Sequence, residues 1–381
     1  SLSHRLRVLR PALASFDPSG ASRGAAVALL GRGFLPSSAE ENQSTFFTMD
    51  GIFETVDGEL VDWMDDEALI LEGTWMEPSR IEMVIRPEED GSGGLKGFGH
   101  SPGIFEGSVT PTIRYQGQTL EGASYEGGFE VLPTLQVVYL KYLPTFTEAL
   151  RKFGLRNVEQ ELRDRIYEVC VRDYADYNVE FRRSRPTDFV DYSVIELAGR
   201  DPNELGLFGL DNTEGMDEGN LRLDDVIGGH NAEAEEAGTF SYGGVFLESF
   251  LAFSPSLGYG HLPDEFRSTR FDHLFSYFIP ELDGSPVQAG EYPGGARDEQ
   301  IGRAIRALGS ILGNTVVHEI GHSLGMVSIP GQFHHDGDTP GLIMNPGQAR
   351  SFEERAEIDG QGPATWHEID REYLQSILPK G

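Results

Sequence analysis

The chain contains 381 residues, enough for two or three domains of ordinary size. Its 62 acidic residues against 30 basic ones give a formal net charge of −32, and so acidic a surface repels phosphate backbones, which argues against nucleic-acid binding. The sequence has no uninterrupted apolar run of about eighteen residues, so no transmembrane helix is predicted.

Cysteine usage does not assign a compartment. Cys170 is the single cysteine, so no intrachain disulfide can form, and its apolar helical surroundings indicate a buried, inert thiol. Residues 1–17 lack the apolar stretch of a signal peptide. Secretion stays compatible with this composition, and we expect a secreted or cell-surface location.

Residues 10–133 predict an antiparallel β-sandwich. Apolar and polar residues alternate in short runs, and Gly, Asp, Pro and Ser clusters separate these runs. The first of them, RPALASFDPSGASRGAAVALLGRGF, resembles the opening of an immunoglobulin-like TIG module in its Pro-Ser-Gly turn and its strand end at a Gly and a Phe. That resemblance implies an all-β, immunoglobulin-like domain over residues 1–133.

The pattern changes near residue 134. A buried strand is predicted at QVVYLKYL (136–143), and a helix is predicted to begin at Asn157, where Gln160 completes a capping box. Two strands follow at 178–182 and 192–198. A strand, a long helix and further strands indicate an α/β or α+β domain, which we assign to residues 134–381.

An irregular segment then covers residues 199–238 and is rich in Gly, Asp, Glu and Asn. Within it, DNTEGMDEGN (211–220) offers alternating oxygen donors of the kind that Ca²⁺ prefers, although it does not match an EF-hand loop. Calcium is therefore a secondary cofactor hypothesis beside the simpler one that acidic residues provide solubility. Residues 241–253, SYGGVFLESFLAF, predict a strand.

The most regular apolar pattern begins near Arg297. Four apolar residues recur at spacings of four, three and four, as on one face of a helix: Ile301, Ile305, Leu308 and Leu312. The pattern continues to Leu324, and Gly325 predicts the end of the helix. A second amphipathic pattern, WHEIDREYLQSILPKG, predicts a C-terminal helix.

The long helix carries a metal-ligand pattern near its end. His318 and His322 are four residues apart, so their imidazoles lie on one helical face and can reach one zinc ion. Glu319 can reach water beside that metal, which is the position of a general base. The alternative is a solvated surface helix, but two His and a Glu are costly on so apolar a helix without partners.

The segment HEIGHSLGM resembles the metzincin clan of zinc peptidases in its H-E-x-x-H-x-x-G core. That resemblance implies a twisted mixed sheet, a long active-site helix, and a sharp chain turn at Gly325 that presents a third His. It also implies a methionine turn beneath the metal, for which LIMNPG with Met344 is the match.

One position departs from the clan's common pattern. Three residues after the glycine, where the third His is usual, this sequence has Ser328. We therefore expect a lengthened zinc-binding loop with His334 as third ligand, since extra loop residues cost little. His335 is the alternative ligand, and the His that does not bind metal would line the cleft or contact a carboxylate such as Asp336 or Asp338.

Together these features predict a zinc-dependent endopeptidase with Glu319 as general base and a protein or peptide as substrate. We expect the substrate to lie along an edge strand, and residues 241–250 are the candidate for that strand.

Three alternatives stay open. One is a zinc-binding but non-catalytic adhesion or scaffold protein, and another is a zinc hydrolase that cleaves a non-peptide amide. The third is a serine hydrolase with Ser323 in GHSLG as nucleophile, which requires a strand before that motif.

Overall fold

The computed structural model describes residues 9–64, 68–89, 95–213, 217, 219–230, 241–259, 262–326 and 334–380. Over these residues the chain is a mixed α/β protein with several sheets. It divides into two compact units, the first formed by Ser1–Leu135 with Thr187–Asp191 and the second by Gln136–Pro186 with Tyr192–Lys380. The boundary predicted between residues 133 and 134 lies close to this division, but nothing in the sequence indicated that Thr187–Asp191 joins the first unit.

The first unit consists of strands and turns among its described residues. The strands are β1 (Ala12–Asp17), β2 (Gly20–Ser22), β3 (Ala26–Arg32), β4 (Ser44–Thr55), β5 (Leu60–Asp62), β6 (Leu69–Leu71), β7 (Thr74–Glu77), β8 (Arg80–Val84), β9 (Glu88–Glu89), β10 (Leu95–Lys96), β11 (Gly103–Tyr115), β12 (Gln118–Glu121) and β13 (Tyr125–Leu132).

Two main sheets enclose the core of this unit. One has the order β1-β3-β8-β7, and the other has the order β2-β13-β11-β4-β5, with β6 paired to β4 and β12 paired to β11. The short strands β9 and β10 pair with each other. Buried and less buried residues alternate along β4, and both sheets contribute to one apolar core that includes Leu29, Phe47 and Phe105. This alternation is what a strand with one buried face produces.

The second unit contains seven strands and six α-helices among its described residues. They are β14 (Gln136–Tyr142), α1 (Pro144–Lys152), α2 (Glu159–Asp173), β15 (Val179–Arg182), β16 (Ser193–Ala198), β17 (Gly209–Leu210), β18 (Val226–Ile227), β19 (Gly229–His230), β20 (Tyr242–Phe246), α3 (Thr269–Phe275), α4 (Asp298–Ser323), α5 (Phe352–Arg355) and α6 (Glu368–Ile377). None of the helices in the described ranges is long and apolar enough to cross a bilayer.

The sheet of the second unit has the order β15-β14-β16-β20-β17. Its first four strands run parallel, and β17 runs antiparallel to β20. The prediction that residues 241–250 form the edge strand is wrong, because β20 hydrogen-bonds to β16 on one side and to β17 on the other. The strand also ends early, since Leu247–Phe253 forms a 3₁₀ helix. Among the described strands, β17 occupies this edge.

Helix α4 is buried along most of its length and packs closely on α2. Glycines permit the close approach, since a Cβ atom added at Gly313 would lie 2.6 Å from the Cβ atom of Val169. The capping box predicted for α2 is wrong. The helix begins at Glu159 with no side-chain cap, and Asn157 Nδ2 instead donates to the Val287 carbonyl at 2.8 Å.

Two glycines of α4 provide a matched test of this packing. Gly313→Ala should lower the free energy of unfolding by roughly 1–3 kcal/mol, because the new methyl group overlaps α2. Gly302→Ala should raise it by roughly 0.5–1 kcal/mol, because alanine favours the helix and the nearest atom lies 3.5 Å away. Chemical denaturation of both variants measures the difference, and a stabilising Gly313→Ala substitution would show that the two helices are not tightly packed.

Candidate metal centre

The end of α4 presents two imidazoles to one cavity. His318 Nδ1 lies 2.7 Å from the Ile343 carbonyl oxygen, and since a carbonyl can only accept, Nδ1 carries the proton. His318 Nε2 is then the unprotonated nitrogen, and it lies 3.1 Å from His322 Nε2. The four-residue spacing on a helix therefore brings two ring nitrogens together, and a carbonyl from a distant turn selects the tautomer of one of them.

His334 completes the cluster. Its Nε2 atom lies 3.2 Å from His318 Nε2, and the ligand atoms of His318, His322 and His334 all lie within 4.8 Å of one another. Within the part of the chain that the structure describes, this is the single group of three or more His, Cys, Asp or Glu side chains so arranged. The cluster is compact enough to hold a metal ion.

Burial sets the charge of the cluster. Removal from water, followed by the neighbouring imidazoles, lowers the pKa of His318 well below its usual value. The same causes lower the pKa of His322 to about 3, and burial together with His335 lowers the pKa of His334. All three rings are therefore neutral near pH 7, which is the form that binds metal.

His335 faces away from the cluster. Its Nε2 atom lies 2.8 Å from Asp370 Oδ2 on α6, and both residues are buried. Its partner is thus Asp370 rather than Asp336 or Asp338. The His335 backbone N–H also donates to the Met344 carbonyl at 3.1 Å. These contacts hold the chain immediately after His334, so His335 supports the position of its neighbour.

Met344 packs against α4 at Gly321. It is 2 % exposed, and a Cβ atom added at Gly321 would lie 2.6 Å from Met344 Sδ. The residue between the two α4 imidazoles on the helix must therefore be small. The sequence did not single out Gly321, because its role follows from a contact with a segment more than twenty residues away.

Helix α4 is followed by a left-handed glycine, Gly325. Gly325 has a φ of 83°, in the left-handed region that favours glycine. The N–H groups of Gly325 and Met326 donate to the carbonyls of His322 and Gly321, at 2.9 and 3.1 Å. Residues 327–333, which include Ser328 and most of the expected lengthened loop, lie outside the described residues.

Glu319 is 6 % exposed and borders the same cavity as the imidazoles. Its carboxylate lies against β17, since a Cβ atom added at Gly209 would be 2.3 Å from Glu319 Oε1. Burial, followed by the nearby Asp211 charge, raises the pKa of Glu319 to about 8, and the Asp211 backbone N–H opposes this shift by hydrogen bonding. Sequence reasoning missed Gly209, which lies about 110 residues before Glu319.

The cavity measures about 660 Å³. Its walls come from the segment Leu205–Asp211, from α4, from Pro346–Gln348 after the methionine, and from Arg355 at the end of α5. Apolar side chains such as Phe208 and Leu262 line much of it. An apolar cavity with a few convergent polar groups is the usual form of a small-molecule or substrate site.

The other predicted features have local explanations where they are described. In the proposed calcium segment, Asp211 Oδ1 accepts from the Thr213 N–H and Asp217 Oδ2 accepts from the Arg222 N–H. Residues 214–216 and 218 of that segment lie outside the described residues. Ser323 is the last residue of α4, and its buried hydroxyl donates to Asp225. It therefore does not stand on the strand-to-helix turn that a serine nucleophile requires.

Comparison of this chain with protein-family models, with curated proteins and with solved structures finds no match.

Replacing His334 should weaken zinc binding more than replacing its neighbour His335. His334→Ala removes a nitrogen from the cluster and should greatly weaken binding of Zn²⁺. His335→Ala removes a supporting contact and should weaken binding by roughly 10- to 100-fold. Competition with a chromophoric chelator measures both affinities. A His335→Ala loss equal to or larger than that of His334→Ala would contradict the assignment.

Stability of the metal-free protein should depend on pH through Glu319. The pKa of Glu319 is raised in the folded state from its ordinary value of 4.5 to about 8. Its contribution to the free energy of unfolding is therefore fully present below pH 4.5 and is lost as pH rises through about 8. The unfolding free energy of the wild type should therefore fall relative to that of Glu319→Gln between about pH 5 and about pH 8.5. Urea denaturation measures this difference, in which the histidine contributions cancel. A constant difference would show that the carboxyl is not buried.

Proposed function

We propose that the second unit is a zinc-dependent endopeptidase domain of the metzincin type and that the first unit is an immunoglobulin-like module of a secreted or cell-surface protein. The support for the enzyme is the convergence of three neutral imidazoles and one buried carboxylate on one cavity beside an antiparallel edge strand. The support for the module is its pair of β-sheets around one apolar core.

The donor set suits zinc. Three imidazole nitrogens, without a thiolate or a carboxylate among them, match a catalytic zinc site with three protein ligands and an open position. The Nδ1–H of His318 is held by a backbone carbonyl, which orients the ring and leaves Nε2 for the metal. A zinc ion held there would polarise the scissile carbonyl and acidify water beside Glu319.

The chain's own groups account for proton transfer. Glu319 faces the cavity from the same helix as two of the imidazoles, so its carboxylate can take a proton from the attacking water. The same group then donates that proton to the leaving amine, and a carboxyl whose pKa is raised by burial is a better acid for this second step. The Asp211 backbone N–H restrains the carboxylate during both transfers.

Strand β17 can position an extended peptide. Within the described residues it pairs with β20 alone, so its other side keeps backbone donors and acceptors for a substrate strand. Its Gly209 lies in contact with the Glu319 carboxylate. A peptide added to this strand would therefore have its backbone beside the general base, and main-chain hydrogen bonds would align it without reference to side chains.

The test is chelator-sensitive proteolysis of casein and of a quenched peptide library. Glu319→Gln should retain zinc, because it is not a donor in the cluster, and should lose activity by roughly 10²- to 10⁴-fold. Chelation should abolish wild-type activity, and added zinc should restore it. Ser323→Ala, which alters a buried hydroxyl bonded to Asp225, serves as the control and should remain active.

Two results would contradict this function. Unchanged turnover by Glu319→Gln would remove the general base from the mechanism. A zinc-loaded wild-type protein that cleaves no peptide would instead favour a non-catalytic adhesion or scaffold protein.

A further inference from the structure

The cavity beside the metal cluster contains a buried cation. Arg355 ends α5, is 4 % exposed and borders the same cavity as His318 and Glu319. Its Nη2 donates to the Gly347 carbonyl at 3.1 Å, and its guanidinium lies 5.4 Å from the centre of the Phe208 ring. Both Gly347 and Phe208 also line the cavity, so the cation belongs to its wall.

The guanidinium of Arg355 is incompletely paired. Its buried Nε has no hydrogen-bond partner, and no carboxylate lies within ion-pair distance of it, among the residues that the structure describes. Arg350, also buried, provides the contrast. Its Nε donates to Glu354 at 2.8 Å and its Nη2 donates to Asn314 at 2.9 Å. One of two neighbouring buried arginines is therefore satisfied by the fold, and the other is not.

A buried charge without a countercharge is costly, so such a residue is expected to meet a partner in the functional complex. Glu354 is already bonded to Arg350. Glu319 attracts Arg355 electrostatically but is hydrogen-bonded by the Asp211 backbone. Burial, followed by the Arg350 charge, lowers the pKa of Arg355 to about 9, so the guanidinium remains charged near pH 7.

We propose that Arg355 binds a side-chain carboxylate of the substrate inside this cavity, so that the enzyme selects a Glu or Asp at one position next to the cleaved bond. This specificity rests on the proposed peptidase function. Guanidinium and carboxylate match in shape and can share two parallel hydrogen bonds. The net charge of −32 repels acidic peptides in general, so their selection requires a local cation of this kind.

Matched substrates test the proposal directly. Quenched peptides that differ only by Glu against Gln, or Asp against Asn, are compared at each position flanking the cleavage site. The wild type should prefer the acid at one position by roughly 10- to 100-fold in kcat/KM, as expected for a hydrogen bond to a charged group. Each peptide is made with a free and with an amidated C-terminus, which separates a side-chain carboxylate from a terminal one.

Substitutions at Arg355 test whether this residue causes the preference for the acidic peptide. Arg355→Gln should reduce the Glu-to-Gln ratio to about one, and Arg355→Lys should keep part of it, because lysine keeps the charge without the fork geometry. Arg200→Gln is the control, since it removes the same charge from a side chain that is 70 % exposed and is not among the residues lining the cavity. Its ratio should equal that of the wild type. If Arg355→Gln does not fold, the wild-type ratio and the Lys variant decide.

Binding provides a readout that does not need turnover. Fluorescence polarisation of labelled Glu and Gln peptides, measured on the zinc-loaded 381-residue chain with Glu319→Gln, should show the same preference. The preference should disappear in the double variant that also carries Arg355→Gln. Arg355-dependent binding without wild-type cleavage would overturn the peptidase function and retain the carboxylate site. Cleavage without any Glu-to-Gln discrimination, or discrimination that persists in Arg355→Gln, would overturn the role of Arg355 and leave the peptidase intact. A preference that requires a free C-terminus would overturn the side-chain assignment.

Discussion

The candidate site depends on how one short turn packs against the end of α4. In that turn the Ile343 carbonyl accepts a hydrogen bond from the His318 Nδ1–H, and Met344 occupies the space that a side chain at Gly321 would fill. The Met344 carbonyl also accepts from the His335 N–H. The same turn thus selects the tautomer of His318, requires a glycine at position 321 between the two helical imidazoles, and holds the chain that carries the third nitrogen.

Burial then acts differently on each charge in the cavity. It keeps the imidazoles neutral, which prepares them for a metal ion. It raises the pKa of Glu319 to about 8, so the proposed role of this residue as a base requires a cation beside it. Arg355 keeps its charge, and among the described residues its guanidinium donates to the Gly347 carbonyl and lies near the Phe208 ring. A single apolar environment therefore links the proposed metal binding, proton transfer and substrate selection, because each involves a charge that the cavity solvates poorly.

Much of the local structure could be predicted from sequence. The extent of α4, the strands at β14 and β16, and the spacing of His318 and His322 follow from apolar periodicity and short-range geometry. Predictions failed where a distant contact competed with a local one. Asn157 fits a capping pattern, yet its amide bonds to a carbonyl 130 residues away. Residues 241–253 fit one long strand, yet half of them form a 3₁₀ helix.

By itself, the sequence determined which residue types are available for metal and proton chemistry and which helix carries two of them, because helical spacing is a property of neighbouring residues. Only the tertiary structure decided which of the paired histidines joins the cluster, that Asp370 holds the other, and that β17 rather than β20 forms the edge beside Glu319. These arrangements depend on contacts between segments far apart in the chain, and such contacts leave no periodic signal in a single sequence.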